Sequence, residues 1–447
     1  KRNDFKITFK PNSTSDCIWL DYVTVSSRTN ADMTGKDEMF VRTIDSYYNP
    51  NKNAELVTES DSSIQYVVNG AEASYIVWKI SDYLAPQVMQ TTFKDGKLSF
   101  SHPRCNVEEF VIFNSKGKLE EPEIVGEVPN QNLHGLSSVN YVIVYHRDFK
   151  QQAERLAELH RKYSGISVIA VDVEEIYNEF SSGRLDISAI RDFLNMLYRR
   201  GLNSENQLRN VLLFGDGSYD NKRSPDNTSS KIPTYQSSHA LYQSNSFVSD
   251  DFYAWLDDKE GDTESTSYVD IGVGRFPVQT IEEATIAVDK SERYLRGGDF
   301  GAWKNSLVFV ADDGDKAEHI SYSETIASKV EKKYPDATIS RIYLETYAPE
   351  RTSTGIIYPK AHEDFMSSIN NGCLILNYVG HGGYNALTDE GLFKQKNIKE
   401  WTNVNKLPLF ITATCDFCPF DHNHILSAGE EGFLYPHGGF LALYTTT

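Results

Sequence analysis

From about residue 138 onward, short continuous apolar runs alternate with stretches whose apolar residues recur every three to four positions. The runs are "YVIVYH" (141–146), "ISVIAVDV" (166–173), "NVLLFGDG" (210–217), "DIGVGRFP" (270–277), "SLVFVADDG" (306–314), "TISRIYLE" (338–345), "CLILNYVGHGG" (373–383), "LPLFITATC" (407–415) and "GFLALYTT" (439–446). Between them lie amphipathic segments such as "FKQQAERLAELHRKYS", "DISAIRDFLNMLYRR" (186–200), "TIEEATIAVDKSERYLR", the stretch at about 317–333 and "HEDFMSSINNG". Runs apolar on both faces, separated by helices, predict an α/β fold with a parallel sheet covered on both sides. Thr280, with Glu283 three residues later, reads as a helix N-cap. The pattern divides into two subdomains meeting near residue 300, at 138–300 and 301–447, the second expected to stop inside or just after a core strand.

Residues 1–130 have a different rhythm. "CIWLDYVTVSS" (17–27), "MFVRTI" (39–44), "IQYVVN" (64–69), "SYIVWKI" (74–80), "KLSFS" (97–101) and "EEFVIFN" (108–114) are short, rich in β-branched and aromatic residues, and separated by turn formers. They predict a β-rich N-terminal domain, a sandwich or barrel-like module. The Pro- and Gly-punctuated "EEPEIVGEVPNQNLHG" (120–135) reads as the linker.

Composition narrows the function. Acidic residues outnumber basic ones by 63 to 44, which argues against a nucleic-acid partner, since that needs a basic face. No apolar run is long enough to span a bilayer, and "KRNDFKITFK" leads into no signal-peptide core, so the chain reads as a piece of a longer exported precursor. Five cysteines, at 17, 105, 373, 415 and 418, leave at least one unpaired and rule out a pure disulfide framework.

Catalytic groups of parallel sheets gather beyond the carboxyl ends of the strands. His381 and Cys415 each come directly after an apolar run, as do Asp216, Asp312 and Asp313. A cysteine peptidase needs a thiol, an imidazole to take and return its proton, and backbone donors for an oxyanion. Cys415, His381 and the backbone N–H groups of Gly382 and Cys415 supply these types. A buried structural cysteine and a structural histidine in a glycine turn remain the plainer alternative. A second reading uses the same residues: Cys415, Cys418, His422 and His424 in "CDFCPFDHNH" are acceptable zinc ligands, in a metal-binding or scaffold protein, although their spacing is unusual. No cofactor is required by the first reading. The acid-rich "SDDFYAWLDDKEGD" (249–262) could hold a structural calcium ion or simply be solvated. "GDGSYD" (215–220) looks like a phosphate cradle, but its acids would repel an anion.

Together "VLLFGDGSYD", "SDDFYAWLDD", "DIGVGRFPVQTIEEATIAVDKSERY", "NYVGHGG" and "ITATC" resemble the gingipain family of cysteine peptidases over about 138–447. The resemblance implies a caspase-like catalytic domain with Cys415 as nucleophile and His381 as general acid and base. It places the acid that orients the histidine at Asp313, with Asp312 the alternative. The specificity acid of arginine-specific members would fall near Glu318 and His319, so strict basic specificity is not implied. "NQNLHGL" (130–136), "IYNEFSSGRLDISAIRDF" (176–193), "IPTYQSSHALYQSNSFVSDDF" (232–252) and "GGFLALYTTT" resemble the sortase branch of that family, which serves type IX secretion in Bacteroidetes. That branch implies an exported enzyme on the outward face of the outer membrane, working beside outer-membrane secretion components. Its substrates would be proteins bearing C-terminal β-sandwich signals, and its acceptor an anionic lipopolysaccharide or similar amine.

Overall fold

A computed structural model describes residues 6–8, 10, 23, 29–42, 63–103, 108–119, 121–124, 126–221, 230–237, 246–257, 260, 268–353 and 355–447. The chain forms two compact units, Lys1–Val128 and Pro129–Thr447. Apart from Val23, the run at 17–27 lies outside the described residues, as do Cys17 and Cys105.

The first unit contains β1 (Glu38–Arg42), β2 (Ser63–Asn69), β3 (Tyr75–Lys79), β4 (Gln87–Val88), β5 (Thr91–Lys94), β6 (Lys97–Pro103) and β7 (Glu109–Asn114). They make two antiparallel sheets, ordered β1-β7-β3-β4 and β2-β6-β5. Alternate residues point inward, and Val68, Val77, Leu98, Phe100, Phe110 and Ile112 from both sheets share one core. That is the sandwich form of the β-rich expectation.

The second unit begins with β8 (Tyr141–Tyr145), α1 (Lys150–Tyr163), β9 (Val168–Asp172), α2 (Val173–Phe180), α3 (Ile187–Gly201), β10 (Asn210–Phe214), β11 (Tyr235–Gln236), β12 (Val248–Ser249), β13 (Gly272–Phe276) and α4 (Ile281–Arg296). Strands β13-β10-β8-β9 form an all-parallel sheet, while β11 and β12 pair as a small hairpin. The run at 166–173 is shorter as a strand than its apolarity suggests. Asp172 accepts the Glu174 N–H (2.9 Å), a side-chain N-cap that turns the chain into α2 at once. The Thr280–Glu283 capping box on α4 is present in both directions.

The chain continues through β14 (Ser306–Ala311), α5 (Glu318–Lys333), β15 (Thr338–Tyr343), β16 (Glu350–Thr352), β17 (Gly355–Ile357), α6 (Pro359–Asn371), β18 (Ile375–Val379), β19 (Gly382–Gly383), β20 (Ala386–Leu387), β21 (Phe393–Lys394), β22 (Leu409–Ala413), α7 (Ala428–Leu434) and β23 (Ala442–Tyr444). A second all-parallel sheet runs β15-β14-β18-β22-β23. Its core gathers Val310, Phe365, Tyr378, Phe393, Trp401, Phe410 and Phe440.

The two parallel sheets share α7. Phe433 and Leu434 complete the core beneath β8 and β10, with the Phe433 ring 5.3 Å from that of Phe276. Lys290 of α4 is buried and donates to the carbonyls of Gly432, Phe433 and Phe440, which brings the backbone around α7 against α4. Loss of water pulls its ammonium down to about 7. Among the described residues no helix is long and apolar enough to cross a membrane.

Candidate active site

Strand register sets the site. Ala311, Val379 and Ala413 stand opposite one another across β14, β18 and β22. The ladder continues one step further, because Asp312 N–H donates to the Val379 carbonyl and Gly380 N–H to that of Ala413, both at 3.1 Å. Asp313, His381 and Cys415 each come two residues after that row. Three candidates separated by up to about a hundred positions in sequence therefore leave neighbouring strands at one level, strands being about 4.8 Å apart.

Close approach, rather than backbone handedness, explains the glycines around His381. A Cβ on Gly380 would lie 2.4 Å from Asp312 Cβ and 2.5 Å from the Tyr378 hydroxyl, and one on Gly382 would lie 2.5 Å from Thr414 Oγ1. Gly382 and Gly383 form β19, paired antiparallel with β20 in the register Gly382–Leu387. Thr388 N–H donates to the His381 carbonyl (3.0 Å), so His381–Thr388 is a bonded row. Rows alternate in an antiparallel ladder, which makes Gly382–Leu387 a non-bonded row and turns the Gly382 N–H outward. That is the orientation an oxyanion donor needs.

The His381 side chain is about half exposed, and its Nε2 lies 3.1 Å from Asp315 Oδ2. Asp315 also faces His319 Nε2 at 3.5 Å, and the two imidazoles meet edge to face at 5.0 Å. The carboxylates expected to orient His381 act elsewhere. Asp312 Oδ2 accepts the backbone N–H of His381 (3.0 Å), whereas Asp313 Oδ2 accepts the Tyr358 hydroxyl (2.5 Å). The structure thus puts Asp315, not Asp313, on the imidazole. Its cause is a feature that sequence does not display: Asp315, Lys316 and Ala317 are consecutive non-glycine residues at φ 53°, 56° and 65°, a left-handed turn that folds the Asp315 side chain back over the strand ends. Burial, and then the neighbouring Asp313, push the Asp312 carboxyl up; burial and the charges of Asp313 and Asp312 do the same for Glu390.

Cys415 is exposed, on a turn where Asp416 takes φ 43°. Cys373 and Cys418 differ from it: burial pushes the Cys373 thiol up to about 12 and raises that of Cys418 further. The zinc set Cys415, Cys418, His422 and His424 is not assembled. Cys418 turns inward toward Ser427 and Glu430, the His422 and His424 rings stand 6.4 Å apart, and these four do not appear among the described groups close enough to share an ion. The groups that are close enough are Asp312, His319 and His381, and Asp312, Asp313 and Glu390. In the acid-rich loop, Asp250 is committed to a two-pronged ion pair with Arg275 (2.7 and 2.8 Å), and most of 258–267 lies outside the described residues.

The first parallel sheet borders the same edge. Asp216, two residues beyond β10, is buried; Gly217 N–H and Gln279 Nε2 donate to its carboxyl. Phe420, from the loop after Cys415, sits over the Arg275 guanidinium at 4.8 Å, and Ser218 donates to Asn423 (2.6 Å). Loss of water and the charge of Glu430 push Asp216 up to about 8, and loss of water pushes Glu430 up to about 7. Both groups hold a proton in the folded chain at pH values where the unfolded chain, at 3.8 and 4.5, has released it. The stability they contribute is therefore complete below about pH 4, declines above it, and is gone once pH has passed about 8. We expect the urea midpoint to fall between about pH 4 and 8, and Asp216→Asn to flatten that fall; an unchanged slope in the variant would remove Asp216 from the account.

The family model described as Peptidase family C25 matches residues 134–447. Curated protein sequences give no match. Among solved structures the chain is similar to latent dimeric PorU from Porphyromonas gingivalis, at 30% identity and TM-score 0.49, over 58% of this chain and 24% of that one. It is also similar to the pro- and mature-domain complex of RgpB from Porphyromonas gingivalis, at 17% identity and TM-score 0.47, over 68% of this chain and 63% of that one. A third likeness is to the Arg-specific cysteine proteinase gingipain R (RgpB), at 16% identity and TM-score 0.48, covering 70% and 64%. The chain thus spans about a quarter of the PorU chain and under two thirds of either RgpB chain.

Proposed function

The chain belongs to peptidase family C25, the gingipain family of cysteine peptidases, and on that premise we propose that it is a sortase-like endopeptidase whose acyl-enzyme is resolved by an amine. The observation that carries the peptidase chemistry is the shared level of His381 and Cys415 beyond the registered row Val379–Ala413. The Cys415 sulfur attacks the scissile carbonyl, and the oxyanion is held by the outward N–H of Gly382 and the N–H of Cys415. His381 takes the thiol proton and returns it to the departing amine, leaving a thioester on Cys415. An incoming amine attacks that thioester, passes a proton to His381 and leaves as an amide as the thiol re-forms. Water in its place gives a free acid. Asp315 holds the imidazole, and Asp313 positions the site through Tyr358.

Transfer, rather than hydrolysis alone, is supported by the likeness of segments 130–136, 176–193 and 232–252 to the sortase branch. The cargo of this reading is a protein with a C-terminal β-sandwich signal, and the acceptor an amine-bearing anionic lipopolysaccharide on the outer face of the outer membrane, reached beside outer-membrane secretion components. The test is cleavage of a peptide spanning such a signal junction, with and without a saturating primary amine, products read by mass spectrometry. An amine-capped product is expected to replace most of the free acid. Free acid alone would leave a hydrolytic peptidase and remove the transfer step. No product, together with no acylated Cys415, would remove both.

A further inference from the structure

The imidazole that serves Cys415 is also one corner of a second constellation. His381, His319 and Asp312 converge on the space above the ends of β14 and β18, with Asp315 facing both imidazoles. One atom each from Asp312, His319 and His381 lie within 4.8 Å of one another. Asp315 Oδ2 stands between the imidazoles, 3.1 Å from His381 Nε2 and 3.5 Å from His319 Nε2. Zinc binds histidine nitrogen and carboxylate oxygen at about 2.0–2.2 Å, so ligand atoms at two corners of its tetrahedron are about 3.3 Å apart. Side-chain rotation brings the atoms of Asp312, His319 and His381, already within 4.8 Å of one another, to that edge.

Two further observations fit. His319 is committed to nothing else: its Nδ1 is buried without a partner, and among the described residues its polar contact is Asp315. Finally, Asp313 and Glu390 lie beside Asp312, so the surroundings favour a cation. Two imidazoles with a carboxylate suit zinc and its neighbours rather than calcium or magnesium, which prefer oxygen alone.

We propose that Asp312, His319 and His381 form a zinc site whose occupation withdraws His381 from Cys415 and reversibly silences the enzyme. A metal on the imidazole takes the lone pair that would accept the thiol proton. The binding site stands without any catalytic reading, while the silencing rests on the peptidase function proposed above. The ligand set excludes the Cys415 thiolate, which separates this site from the general affinity of zinc for a thiol–imidazole pair.

The experiment is calorimetric titration of zinc chloride into the chelator-treated protein, in the parent, in Cys415→Ala and in His319→Phe, which keeps a ring against His381. Cobalt(II) absorption spectra and peptide cleavage are recorded on the same samples. We expect one ion per chain, bound equally by parent and Cys415→Ala, with a cobalt spectrum free of sulfur-to-metal bands. His319→Phe should lose at least about 10- to 100-fold in affinity, because even outer partners of ligating histidines are worth that much. Added zinc should inhibit that variant correspondingly less, each sample being compared with its own rate in chelator. Undiminished binding in His319→Phe, binding that requires Cys415, or no binding at all would each overturn the site. A protein that binds zinc as described yet never cleaves peptide would instead overturn the peptidase reading and leave the site standing.

Discussion

Replacing Cys415 with alanine is expected to lower peptide cleavage by at least about 10⁴-fold, the scale on which nucleophile removal acts in enzymes whose nucleophile and base work as a unit. The exposed thiol contributes little packing, so the stability measured in urea should stay within about 0.5 kcal/mol of the parent. His381→Ala should lose a similar factor, and the double variant should lose no more than the worse single one. This lack of additivity is the informative part. Groups that serve one proton transfer fail together, whereas two independent contributors would multiply their losses. Iodoacetamide labelling of Cys415, read by peptide mass spectrometry, supplies a check free of substrate: it should slow markedly in His381→Ala. Losses that multiply, or labelling indifferent to His381, would mean that the shared strand level does not make the two side chains partners.

Asp250→Ala is the substitution with the largest expected effect on stability. Arg275 is almost fully buried, and its guanidinium meets both oxygens of Asp250 while donating to the carbonyls of Gly215, Ile232 and Pro233. Removing the carboxylate leaves a buried charge with neutral acceptors only, which costs about 3–5 kcal/mol. The double change Asp250→Leu with Arg275→Met should cost clearly less, since it removes both charges and keeps apolar volume. Unfolding in urea measures both. The same guanidinium supports Phe420 in the loop after Cys415, so Asp250→Ala should also slow cleavage in the fraction that remains folded. A single variant as stable as the double would show that water reaches Arg275.

Much of this is legible in the chain because parallel strands announce themselves twice, by apolarity on both faces and by the polar or glycine residues at their carboxyl ends. The runs ending at Ala311, Val379 and Ala413 fix the sheet, and counting two residues on from each yields Asp313, His381 and Cys415. The parts that stay hidden depend on backbone torsion and on pairing at a distance. Nothing in "DGDKAEH" shows that Asp315 to Ala317 turn left-handed, so sequence places the carboxylate for His381 at the strand end, where Asp313 instead meets a tyrosine 45 residues away. Likewise Asp250 reads as a free loop acid until Arg275, buried in a neighbouring strand, claims it. Helix α2 is masked by the apolar run feeding directly into it, and the end of that strand is set by the Asp172 cap rather than by a loss of hydrophobicity.

Helix α7 bears on how the chain is made. The first parallel sheet is complete once Phe276 has been added, but the apolar surface that covers it includes Phe433 and Leu434. At roughly 5–20 residues per second, a ribosome needs roughly ten to thirty seconds to supply that stretch. Throughout this interval the nascent sheet shows Phe214, Phe276 and Val288 without their lid, and the backbone carbonyls that Lys290 will bind have not been made. A ribosome stalled short of α7 would therefore hold an aromatic surface open to other nascent chains, and slower translation of 277–433 should raise aggregation rather than improve folding.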